Sequence, residues 1–150
     1  MLRNIMISTL SMILASSTAT FAQGQSGTAA EAKAMLEKAV TELKVNEAAA
    51  LAKFNKGESG FKDRDLYVFC MDMTTVKFTA GVPSLVGTDV KALKEKDGSP
   101  LGEKLLNAAK EGTVTTLAYN FPKPGTTDPV PKETFLARVG NQTCGVGYYK

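Results

Sequence analysis

The chain predicts an α+β fold: a five-stranded antiparallel sheet with a long N-terminal helix and short helices between the second and third strands. Three observations predict it. Met35, Leu36, Ala39, Val40 and Leu43 recur at three- and four-residue spacing, the period of one helix face. Asp65-Leu-Tyr-Val-Phe-Cys-Met-Asp72 and Thr75-Val-Lys-Phe-Thr-Ala80 are β-branched, aromatic and aliphatic runs joined by a polar turn, the pattern of a hairpin. The later β-rich runs are again sequence neighbours, which favours antiparallel pairing.

The elements follow in order. Thr28 with Glu31 three residues on is a capping-box pattern and opens the first helix, which is rich in alanine. Asn46 interrupts it and caps a second short helix through Leu51 and Phe54, which ends at Lys56-Gly-Glu-Ser-Gly60. The hairpin comes next, then a loop of small residues from Gly81 to Asp89. A short helix is expected over Asp89 to Lys96 and a turn at Asp97-Gly98. Ser99 as N-cap and Pro100 in the first turn start a helix that buries Leu101, Leu105, Leu106 and Ala109 and stops at Gly112. Thr113 to Phe121 is the third strand. Pro122 to Pro131 is expected to be a long exposed connection, because proline lacks the ladder donor. Lys132 to Val139 and Thr143 to Tyr149 form a closing hairpin around Gly140-Asn-Gln142. The first helix covers one face of the sheet; the middle helices and loop cover the other face or one end.

Residues 1–22 stand apart from this domain. Met1-Leu-Arg-Asn4 is positive, Ile5 to Ala15 is mostly apolar, and Thr20 and Ala22 occupy the −3 and −1 positions of a cleavage site before Gln23. That is the layout of a secretory signal peptide, and the apolar stretch is shorter than the roughly 20 residues a spanning helix needs. Residues 23–27 read as a linker and 28–150 as one domain. The expected location is periplasmic or secreted, with no stable membrane anchor after cleavage. The 150 residues carry 18 Lys and Arg against 15 Asp and Glu, without blocks of like charge, so nothing resembles a nucleic-acid footprint.

The two cysteines, Cys70 and Cys144, lie in predicted strands. In an oxidising compartment an even count favours a disulfide; two buried free thiols acting as small hydrophobes are the alternative. No metal site is expected, since the chain has no His and the cysteines sit in no ligand-like cluster.

Several pieces, in order over nearly all of the domain, resemble the single Cache domain of the type-two subfamily, an extracytoplasmic relative of PAS domains. They are Ala48 to Phe54 with Asn55-Lys56-Gly57, Phe61 to Phe69, Pro83-Ser-Leu-Val-Gly87 with Asp89, Asp97-Gly98, Tyr119, Lys132 and Gly145-Val-Gly-Tyr-Tyr149. The chain departs from the pattern at Phe135, where many members have Tyr, and in having no Trp. The resemblance implies that the first and last strands are sheet neighbours, which supports a Cys70–Cys144 bridge. It also implies a pocket between the sheet and the loops after the second strand. Members usually sit in receptors with transmembrane helices; this chain stops at Lys150, right after its last strand, so a membrane receptor is the expected signalling partner.

Catalysis and cofactors are not expected. Without His, a Ser-His-Asp or Cys-His site is impossible, and Asp63, Asp65 and Asp72 show no convergent acid/base pairing. Binding of a small carboxylate needs one or two cationic or donor groups in a mostly apolar pocket. The candidates are Lys132 as charge partner, Tyr67 and Tyr119 as hydroxyl donors, Phe69 and Phe78 as walls, and Arg64 as a second cation. Tyr148 and Tyr149 read as structural. The alternative is a cell-envelope interaction module that keeps the fold without a ligand.

Overall fold

A computed structural model describes residues 26–150; the expected signal peptide and most of the linker lie outside the described residues. Helix α1 (Ala29–Val45) starts at Thr28 with both halves of the capping box made, and helix α2 (Glu47–Lys56) starts at Asn46, whose side chain accepts from the Ala49 N–H. Gly57, at φ 67°, ends α2 in the left-handed conformation that glycine tolerates best.

The strands are β1 (Lys62–Asp63), β2 (Leu66–Asp72), β3 (Lys77–Ala80), β4 (Thr115–Pro122), β5 (Pro129–Val139) and β6 (Gln142–Tyr149). All pair antiparallel, in the order β3-β2-β6-β5-β4, and the two-residue β1 pairs with the other end of β2. This is the expected five-stranded sheet plus a small extra hairpin. The β2–β3 turn is held by Asp72, whose Oδ1 accepts from the N–H groups of Thr74 and Thr75. That turn occupies Thr75 and Val76, so β3 begins two residues later than the pattern suggests.

Three expectations are corrected. Pro129 and Pro131 belong to β5, paired with Pro122 and Asn120, which leaves only residues 123–128 as the connection. The Pro131 carbonyl accepts from Lys150 N, so its ring nitrogen faces the end of β6, where no ladder donor is required. Over residues 89–96 only a 3-10 turn forms, Val90–Ala92. Helix α3 runs Leu101–Ala108, shorter than expected, with Pro100 at its N-cap position and no side-chain cap; the Ser99 hydroxyl is drawn instead to Glu95.

Side chains alternate across β2 and so divide the interior in two. Leu66, Val68 and Cys70 join Cys144, Val146 and Ala137 under α1 and α2. Phe69 and Met71 join Phe78, Val90, Leu101, Leu105, Tyr119 and Leu136 on the opposite face, covered by α3 and the loop after β3. Cys70 and Cys144 are directly opposite in the β2–β6 register, with Cα atoms 4.1 Å apart, and form a disulfide buried on the helix side.

Candidate functional site

The second face carries the only charged side chain among the fully buried residues described, Lys132, which is 2 % exposed. It leaves β5 and lies across β6 toward β2. What permits this is Gly147: a Cβ there would stand 2.3 Å from both Lys132 Cε and Thr134 Oγ1. Two residues earlier, a Cβ on Gly145 would meet the Phe69 ring at 2.6 Å. With a two-residue period, both glycines face the same side of β6 and leave a shallow trough across the middle of the sheet.

At the end of that trough the Lys132 amine donates to the Tyr67 hydroxyl at 3.1 Å. Four rings surround it, with centroids 4.5 Å (Tyr67), 4.9 Å (Tyr149), 5.2 Å (Phe121) and 6.0 Å (Tyr119) from Nζ. None of the ion pairs among the described residues includes it. Burial therefore lowers the Lys132 pKa to about 7, against a smaller upward pull from Asp65. The hydroxyls nearby are raised in turn, Tyr67 and Tyr119 chiefly by burial. Tyr119 is further fixed by a 2.8 Å hydrogen bond with the buried Thr134 hydroxyl.

Tyr67, Phe121 and Tyr119 also form the aromatic end of a cavity whose other walls are Phe69, Phe78, Ala80, Val82, Leu85 and the leucines at 93, 101 and 105. Its free volume is about 20 Å³, room for one water. An outer cleft of about 270 Å³ between the end of α2, the loop at Gly81 to Pro83 and the β4–β5 connection shares Tyr67 and Val82 with the cavity. Those two side chains stand between the outer cleft and the cavity.

Of the six residues singled out in the sequence, Tyr67, Phe69, Phe78 and Tyr119 line this cavity and Lys132 lies behind its aromatic end. Arg64 does not join them. It sits at φ 56° in the β1–β2 turn, which turns its guanidinium onto Glu31 and Asp63 at 2.7 and 2.8 Å. Phe121 was not singled out, and Tyr149, read above as structural, also faces the Lys132 amine. Phe121 shares a strand face with Tyr119, and a two-residue turn at Gly140-Asn141 sets Tyr149 opposite Lys132, so period and turn length carried the signal. Among the described residues no group of acidic or cysteine side chains is placed to hold a metal ion, and no helix is long and apolar enough to cross a membrane.

The family model for the single Cache domain 2 matches residues 2–147. No curated protein matches. Among solved structures, a methyl-accepting chemotaxis protein from Vibrio parahaemolyticus is 24% identical, with TM-score 0.64 over 80% of this chain and 86% of that one. A periplasmic sensor domain of a chemotaxis protein is 22% identical, with TM-score 0.60 over 78% and 86%. A Cache chemosensory domain described for carboxylic acid recognition is 19% identical, with TM-score 0.58 over 78% and 84%. The chain belongs to the single Cache domain 2 family, a ligand-sensing type of domain, and its fold is that of these sensor domains.

Proposed function

We propose that this Cache domain recognises a short monocarboxylate outside the cytoplasm and passes its occupancy to a membrane receptor. The observation that carries the reading is the Lys132 amine, buried without a carboxylate partner among the described residues and hydrogen-bonded to Tyr67, a wall of the apolar cavity. A buried ammonium lacking a counter-ion is unfavourable, and an incoming carboxylate supplies the missing charge in a medium where the attraction is strong. Tyr67 and Tyr119 hydroxyls stand at the aromatic end of that cavity as further donors. The apolar walls suit an alkyl tail. They offer no second cation for a dicarboxylate and no acidic side chain for the ammonium of an amino acid. The Cache domain described for carboxylic acid recognition agrees with this class of ligand.

The experiment is a thermal-shift screen of the oxidised protein, refolded to remove any co-purified ligand, against acetate, propanoate, butanoate, succinate and amino acids. Ligand at 100 times its dissociation constant adds roughly 2.7 kcal/mol, a shift of several degrees. A shift with a monocarboxylate that Lys132→Ala abolishes supports the reading. The narrow free volume favours one competitor, an interaction module without a ligand. No shift with any acid would replace the sensor reading by that one.

A further inference from the structure

We propose that Lys132 also captures small carbonyl compounds, short aliphatic aldehydes or 2-oxo acids, as a reversible imine inside the domain. The inference rests on the same access to the cavity that carboxylate binding requires, but on different chemistry at nitrogen. Three features of the site supply what amine condensation needs.

The first is a desolvated amine. Lys132 is 2 % exposed, and no ion pair among the described residues holds it in the ammonium form. The groups that face it from the surrounding elements are Tyr67 on β2, Tyr119 on β4 and Tyr149 on β6, with the Asp65 carboxylate acting from the β1–β2 turn. Burial outweighs the pull of Asp65, so a large fraction of the amine is free base near neutral pH. A solvated lysine, with a pKa of about 10.4, has only about 0.1% free base there. An amine activated by an apolar pocket is the usual form of a Schiff-base lysine.

The second feature is a proton relay. The Tyr67 hydroxyl is 3.1 Å from Nζ, within the reach a general acid requires. In the step proposed, the nitrogen lone pair attacks the carbonyl carbon and the C=O π pair moves to oxygen. One proton passes from nitrogen to oxygen through Tyr67, giving a neutral carbinolamine. Protonation of its hydroxyl by solvent, relayed by Tyr67, lets water leave as the C=N bond forms. The product is an iminium ion that loses its nitrogen proton to give the imine, so carbonyl plus amine gives imine plus water with no oxidant or reductant. The four rings around Nζ stabilise the iminium cation as they do the ammonium. The third feature is the apolar lining beyond Tyr67 and Tyr119, whose free volume of about 20 Å³ must widen to take the alkyl part of the carbonyl compound and which keeps water from hydrolysing the imine.

The test is reductive trapping on the full protein. The oxidised chain is incubated near pH 7.5 with butanal or with 2-oxobutanoate, reduced by cyanoborohydride, and mapped by peptide mass spectrometry. The expected result is modification of Lys132 at least ten times faster than of exposed lysines such as Lys44 and Lys94. Labelling with butanal alone assigns the site to aldehydes, and with 2-oxobutanoate alone to 2-oxo acids; either supports imine capture. Tyr67→Phe, which keeps the ring and removes the relay, should slow trapping at Lys132 while leaving the trapping rate at Lys44 and Lys94 unchanged. Lys132 modified no faster than Lys44 with both probes overturns the proposal. If butanoate still binds in that case, only imine capture has failed; if butanoate does not bind either, access to the site has failed.

Discussion

Replacing Lys132 by methionine should make the unliganded domain more stable, and by an amount that depends on pH. Methionine fills nearly the same space without charge. In the folded chain the Lys132 pKa is about 7, against 10.5 when solvated. Below about pH 7 both folded and unfolded chains hold the proton, and the full penalty of burying the ammonium applies. Between about pH 7 and 10.5 the unfolded chain binds more protons than the folded one, so the wild-type protein gains stability as pH rises. At 1.36 kcal/mol per pH unit the whole interval corresponds to roughly 5 kcal/mol. Four ring contacts return ~0.5–1 kcal/mol each to the wild type through cation–π attraction, in part beyond what that figure includes. The net expectation at pH 6 is that Lys132→Met is more stable by about 1–3 kcal/mol, roughly 3–10 °C in Tm. The advantage should shrink toward zero, or reverse, by pH 10. Urea unfolding of both proteins at pH 6, 8 and 10 measures it. A variant that is less stable than wild type by the same amount at every pH would show that the amine is well solvated or well paired, and would refute the reasoning.

Other perturbations test the remaining parts. Gly147→Ala places a methyl group against Lys132 and Thr134; it should cost about 1–3 kcal/mol in urea unfolding and abolish the butanoate thermal shift. Butanoate affinity, measured by calorimetry, should weaken by up to tenfold per pH unit above about pH 7, because Lys132 must take up a proton to pair with the acid. An affinity independent of pH from 6.5 to 9 would exclude Lys132 as the charge partner. Removing the disulfide by Cys70→Ala with Cys144→Ala should cost about 2–4 kcal/mol in guanidinium unfolding, and reductant should then have no further effect. Thr28→Ala removes the capping box of α1 and should cost about 1 kcal/mol.

Where the sequence was legible, the signal was local. Thr28, Glu31, Asn46 and Gly57 bound the helices through contacts within a few residues, and they stand where the pattern puts them. The alternation of Leu66, Val68 and Cys70 against Tyr67 and Phe69 divided the two faces, because one buried face fixes register. The failures involve partners that the local pattern does not specify. Ser99 is a good N-cap by type, but Glu95 competes for its hydroxyl. Pro129 and Pro131 read as a loop because the rule against proline in strands depends on which neighbour each ring nitrogen faces, and β6 ends there. Arg64 depended on a two-residue hairpin too short to show a period. The cation was legible at Lys132, but its four-ring enclosure draws on β2, β4 and β6 at once, and only the assembled register brings those rings together.

The strand order has a consequence in time. β6 is the last strand of the chain, yet it is the middle strand of the sheet, between β2 and β5. A ribosome delivers residues at about 5–20 per second, from the N-terminus onward. Until β6 emerges, β2 with β3 and β4 with β5 exist as separate hairpins with no strand to join them, and neither has a stable sheet to enter. Cys70 likewise waits for Cys144, 74 residues later. The sheet therefore closes only once β6 has emerged, in a step dominated by long-range pairing.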